Sequence, residues 1–339
     1  MTKIPFPSSS KQWLGLATGT SLLALALAIT FSKCHPFTGQ GNNQLQTIQA
    51  KHVPLTGAPK KLKVSSAQEV WDYYQEIGFT MENLERGQIK VPRIYLANII
   101  DTWSDNESIA FKKSLFYRTM LPLILRVNEL IAGERQQLTE LVAKRKEGTL
   151  TARESQWLQQ LARAYKVTNQ SYQGPLTKQH LATLFSRVDS IPPSMALGQA
   201  AYESAYATSR FAMEGNALFG QWRWGSGLVP AQQREGLGDY RIADFKAPLD
   251  SMAAFARNLN TNKAYVEFRR LRSDLRRRGE PLDGHTLAAG LEKYSERGAL
   301  YIETLRQMMR HNNLGRLDVA RLGSGQPISL IPKWADQEQ

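Results

Sequence analysis

The chain has 339 residues, 42% hydrophobic and 22% charged, which is enough for a sizeable core and two folding units. With one cysteine, Cys34, it forms no disulfide within itself, and its five histidines show no ligand spacing, so no metal or other cofactor is expected. The formal charge of +13 points to three partner classes: nucleic acid, anionic lipid or an acidic wall polymer.

Seven lysines (Lys3, Lys11, Lys33, Lys51, Lys60, Lys61 and Lys63) precede the first acidic residue, Glu69. Residues 13–32 carry no charge, and twenty helical residues span about 30 Å, the thickness of a bilayer core. The run is longer than a usual signal-peptide core, and its small-x-small site, Ala26-Leu-Ala28, lies inside it. The favoured reading is an uncleaved transmembrane signal anchor; a removed signal peptide or a buried helix are the alternatives. Lysines before the run keep residues 1–12 in the cytoplasm. The expectation is a single-pass protein of the inner (cytoplasmic) membrane, with the lipid bilayer as partner through residues 13–32. The body then faces the periplasm or exterior, which excludes nucleic acid. Residues 33–65, rich in Gln, Asn, Gly, Pro and Lys, read as a flexible basic linker.

Residues 66–175 predict a helical region. Ser66-Ala-Gln-Glu69 has capping-box spacing and opens a helix to about Arg86. Val91-Pro92 breaks the chain before Ile94–Ile100. A long helical pattern covers about Glu107 to Lys146, with Pro122 marking a kink or a break. Thr151-Ala-Arg-Glu154 caps another helix. No catalytic constellation stands in this region, which reads as a scaffold or docking surface.

Residues 176–316 carry the chemistry. Pro192-Pro193 starts a helix ending near Glu203, where a missing N–H is tolerated. Glycines at 225, 227, 236 and 238 suggest a β-hairpin, and from Ala247 the pattern is helical again to His311. Residues 317–339 read as a C-terminal tail. The basic run Arg269–Arg278 reads as a solvated helix face.

Glu203 shares a helix face with Ala196, Gln199 and Ala200, a stripe that presses its carboxylate against packed protein. Burial disfavours the charged form, and the negative end of the helix pushes the same way. A carboxylic acid kept neutral at working pH is suited to protonate a glycosidic oxygen. The bland alternative is a solvated glutamate at a helix end.

Five ordered blocks point further: Glu203-Ser204; Asn216-Ala-Leu-Phe-Gly220; Tyr240–Phe245; Asp250–Phe255 leading to Asn258–Tyr265; and Tyr294 to Tyr301. From about Ser194 to Leu314 the sequence resembles the glucosaminidase domain of glycoside hydrolase family 73 (mannosyl-glycoprotein endo-beta-N-acetylglucosaminidase-like), and within it the Bax-type proteins. The resemblance implies a mainly α fold: a lysozyme-like α+β hydrolase domain with a small β-hairpin lobe, preceded by the helical region and one transmembrane helix. It implies an endo-β-N-acetylglucosaminidase that cuts β-1,4 bonds in peptidoglycan glycan strands, with Glu203 as general acid.

The second group is open. The family's hairpin carboxylate points to Glu235 first and Asp239 next, Glu214 and Asp244 being further candidates, while the substrate's own 2-acetamido group can replace a carboxylate. Tyr294 and Tyr301 match family positions close to the acid, though core aromatics explain them equally well. Trp222 and Trp224 flank Arg223, and one of the two is expected to touch a sugar; the alternative puts one ring in the core and the other in solvent. Asn216 and Phe219 belong to the substrate-binding block, as a turn residue and a core plug. Three positions depart from the family: Ala205 where Gly is common, Ala217 where Asn is common and Gln221 where an aliphatic residue is usual. The competing functions are a lytic transglycosylase on a similar fold and a non-catalytic wall-binding scaffold. A peptide-cutting amidase lacks zinc ligands or a Cys-His pair.

Overall fold

A computed structural model describes residues 59–87, 90–104, 108–231, 233 and 238–336. Strand β1 (Lys60–Val64) alternates exposed lysines with inward Leu62 and Val64, the period-two pattern of a half-buried strand. It extends folded structure into the stretch read as linker. Helix α1 (Ala67–Glu76) is capped by Ser66, whose hydroxyl accepts from the Glu69 amide. The single helix expected to Arg86 is split, because Gly78 takes a left-handed backbone (φ 68°) and Thr80 caps a new short helix, α2 (Met81–Glu85).

Strand β2 (Ile94–Leu96) and a C-terminal strand, β5 (Ile328–Pro332), complete a parallel sheet of order β1-β5-β2. In register, Leu62 and Leu96 both face Leu330, which is fully buried. The central strand thus comes from residues read as a tail.

Helix α3 (Ile109–Lys146) runs 38 residues without a break at Pro122. Every residue from Leu115 to Val127 is buried, so packing on all sides holds the helix across the missing amide. Helix α4 (Ala152–Ala164) has the Thr151/Glu154 capping box, and α5 (Lys178–Arg187) follows. Helix α6 (Pro193–Ser204) is buried from Pro193 through Ala201 and packs against α3. Next come α7 (Arg210–Gly215) and the antiparallel pair β3 (Trp222–Trp224) and β4 (Tyr240–Ile242). Helices α8 (Pro248–Thr261), α9 (Val266–Arg278), α10 (Gly284–Leu287) and α11 (Ala299–His311) close the domain. At Gly198 an added Cβ would lie 2.9 Å from Leu305 Cδ1, so this glycine sets how closely α6 and α11 approach.

Two further expectations need correction. The fold class carried a transmembrane helix, but no helix among the described residues is long and apolar enough to cross a membrane. The length of α3 would suffice, yet charged residues such as Lys112, Lys113, Arg118, Arg126, Glu129 and Glu134 recur along it. Residues 13–32 lie outside the described residues, as do 1–12 and 33–58. The structure therefore supports neither the single-pass inner-membrane placement nor the lipid bilayer as partner. The basic run on α9 is also not a uniformly solvated face. Arg269 and Arg272 are buried: Arg272 donates to the carbonyls of Ser186, Asp189 and Ser190 and to Asn260 Oδ1, and Arg269 to those of Leu259 and Asn262. Backbone acceptors in the core replace the solvent a guanidinium needs.

Candidate active site

Glu203 occupies the last turn of α6 and is half-buried as a residue. The protein packed around it raises its pKa to about 7, against a smaller opposing effect of the Tyr301 hydroxyl, which donates to Oε1 at 3.0 Å. Tyr301 itself is buried on α11. Its ring stacks on that of Tyr294 at 5.4 Å between centroids and meets that of Tyr202 edge-on at 5.6 Å. Tyr294 is buried too, and Arg297 donates to the Tyr202 hydroxyl at 2.6 Å. The two tyrosines singled out in the sequence therefore stand together, with Tyr301 directly on the acid.

Beyond Glu203 the chain turns sharply. Ala205, Tyr206 and Ala207 all have left-handed backbones (φ 51°, 60° and 65°), an uncommon conformation for residues other than glycine. Ser204 clamps this turn: its hydroxyl donates to the Ala200 carbonyl at 2.6 Å and accepts from the Ala207 amide at 2.8 Å. From the N-terminal region, Trp103 donates its indole N–H to the Tyr206 carbonyl at 2.8 Å.

Asn216 is buried at the end of α7, also left-handed, and its amide is fully engaged within the protein. Its Oδ1 accepts from the Ile99 amide, and its Nδ2 donates to Asn98 Oδ1 and to the Phe245 carbonyl, each at 3.0 Å. Phe219 is a core ring stacked on Phe255 at 3.9 Å. Trp222 is buried against Tyr240, whereas Trp224, two residues on and so on the same strand face, is 46% exposed at the end of β3. Of these four residues only Trp224 offers an open face. Gln221 is buried rather than presented to solvent.

Among the described residues, the acids in and around the hairpin pair with groups other than Glu203. Asp239 is exposed and meets Arg241 and Gln233 at 3.4 Å; Asp244 pairs with Arg223, and Glu214 with Arg210. Glu235 lies outside the described residues. Among the described residues no group of three or more His, Cys, Asp or Glu is placed to hold a metal ion.

Two supporting residues escaped the sequence reading. Gln199, named there only as part of a face, donates its amide to the Tyr301 hydroxyl at 3.0 Å. Its spacing of four from Glu203 was the available signal. Asp318 accepts from the Ser194 amide and hydroxyl and from the Gly284 amide, so it caps the start of α6 from beyond α11. Nothing local in the sequence marks that contact.

A family model described as Glucosaminidase, mannosyl-glycoprotein endo-beta-N-acetylglucosaminidase, matches residues 179–314. Protein bax of Escherichia coli (strain K12) is 32% identical over 202 residues, which cover 59% of this chain and 70% of that protein. The chain belongs to the Bax-type glucosaminidase-domain family. No solved structure matches it. The matched glucosaminidase domain includes Glu203, Tyr294, Tyr301 and the hairpin, and it assigns the chain to the glycoside hydrolase class. Asn98, Ile99, Trp103 and Asp318, which brace the site, stand outside the match.

Proposed function

We propose that this glucosaminidase-domain protein is an endo-β-N-acetylglucosaminidase that cuts β-1,4 bonds in peptidoglycan, with Glu203 protonating the leaving oxygen. The observation carrying the reading is a carboxylic acid with its pKa raised to about 7, partly exposed and hydrogen-bonded by Tyr301, inside a family-matched glucosaminidase domain. Near neutral pH such a group holds a proton often enough to donate it, yet releases it readily. Trp224 is the aromatic face available to a sugar ring.

Two candidates compete for the second role, stabilising positive charge at the anomeric carbon: Glu235, which lies between β3 and β4 in the sequence, and the substrate's 2-acetamido group. Asp239 is the weaker hairpin choice, since Arg241 and Gln233 already hold it.

The test is digestion of purified cell-wall sacculi with product analysis. Reducing N-acetylglucosamine ends are expected, whereas anhydro-muramyl ends would assign the protein to the lytic transglycosylases. Glu203→Gln should lower turnover by about 100-fold or more; equal clearing by variant and wild type removes Glu203 from the reaction. Loss of comparable size in Glu235→Gln selects the carboxylate, and retained turnover selects the acetamido group.

A further inference from the structure

We infer that Gln199 is a positioning residue that acts on Glu203 through Tyr301, by fixing the direction in which the Tyr301 hydroxyl presents its one proton. This deepens the proposed function and rests on Glu203 being its acid. Gln199 and Glu203 are one turn apart on α6, and Tyr301 reaches both from α11. The Gln199 Nε2 donates to the Tyr301 hydroxyl oxygen at 3.0 Å, and that hydroxyl donates to Glu203 Oε1 at 3.0 Å.

A phenol has one proton and acceptor lone pairs. With an amide N–H occupying the acceptor side, the proton is directed to the carboxyl. If the hydroxyl rotated instead, its proton would confront an N–H donor and Glu203 would lose its partner. Rotation is the only freedom left to this group, because the Tyr301 ring is buried and stacked on Tyr294.

The arrangement is not explained by stability alone. Gln199 is 0% exposed, and its Oε1 has no hydrogen-bond partner among the described residues. A buried acceptor left in that state is unfavourable, and an apolar side chain of similar shape would avoid it. What the amide supplies and an apolar residue cannot is a donor aimed at the phenol.

The decisive experiment compares the full chain as wild type, Gln199→Met, Tyr301→Phe, the double variant and Glu203→Gln on sacculi. Gln199→Met keeps length and removes the donor. We expect kcat to fall about tenfold with KM within about twofold, and the double variant to be no slower than Tyr301→Phe, because residues acting through one group are not additive. A kcat for Gln199→Met within about twofold of wild type, or losses that multiply in the double variant, would overturn the inference. Two readouts do not depend on turnover. In the wild type, the Gln199 side-chain amide protons should show a through-space NMR contact to the Tyr301 ring, and its absence refutes the relay even if Gln199→Met does not fold. The Tyr301 ring-carbon resonance beside the hydroxyl should also move in Gln199→Met. An active Glu203→Gln would sink the acid reading itself, and an inactive one beside an unaffected Gln199→Met would sink only the relay.

Discussion

Glu203 combines partial exposure with a pKa raised to about 7 from the usual 4.5, the result of desolvation only partly offset by the Tyr301 hydrogen bond. Between those two values the folded chain holds a proton that the unfolded chain has released, so stability falls as pH rises through that window. Below the window both states are protonated and the residue makes no difference. Above it the folded state bears the full cost of a desolvated carboxylate, on the order of 3 kcal/mol. Glu203→Gln should therefore raise the unfolding midpoint at pH 8 and leave it unchanged near pH 4, as urea titrations at the two pH values would reveal. A variant no more stable at pH 8 would mean that the carboxylate is better solvated than its surroundings indicate. The comparison must be made at matched pH, because Glu134 and Asp318 are also pushed up, to about 7 and about 6. On the proposed role of Glu203 as proton donor, turnover should also decline as pH rises past 7.

At the scale of the element, α6 places its acid by ending abruptly. The helix is held at its start by Asp318, at its flank by Gly198 against Leu305, and at its end by Ser204 across a turn of three left-handed residues. The departure at Ala205 now has a physical meaning, since a φ of 51° suits the glycine common in the family. Ala205→Gly should relieve strain of roughly 1 to 2 kcal/mol, partly offset by the extra freedom glycine has when unfolded. The expected result is a net gain of about 0.5 to 1 kcal/mol, measured as a small rise in melting temperature. A loss of stability would show that the neighbouring bonds of Ser204 and Trp103, rather than the backbone preference, set the conformation. The acid at the helix end and the prolines at its start were legible because caps and helix stops are local chemistry. The left-handed turn was not, because alanine and tyrosine rarely adopt it and only the surrounding bonds impose it.

Across the whole molecule, the glucosaminidase domain is braced by residues on either side of it. Asn216 ties the end of α7 to Asn98 and Ile99, Trp103 holds the Tyr206 carbonyl, and Asp318 caps α6. The sheet joins these flanks, with β5 from the end of the chain lying between β1 and β2. Deleting residues 324–339 should remove the central strand, expose the buried Leu330 partners and lower stability by at least about 3 kcal/mol. The measurement is a urea unfolding midpoint on the truncated chain, and an unchanged midpoint would show that the sheet is dispensable.

Residue order alone was enough to identify the glucosaminidase family, the helix starts at Ser66, Thr151 and Pro193, and Glu203 as the residue to watch, because motif spacing and capping act over a few positions. Packing decided the rest. Pro122 stayed helical because its neighbours are buried on every side; Arg269 and Arg272 turned inward to distant carbonyls; residues 328–332 became a central strand by pairing with residues 60–64 and 94–96. Each outcome depends on partners far along the chain, whose approach no local pattern records.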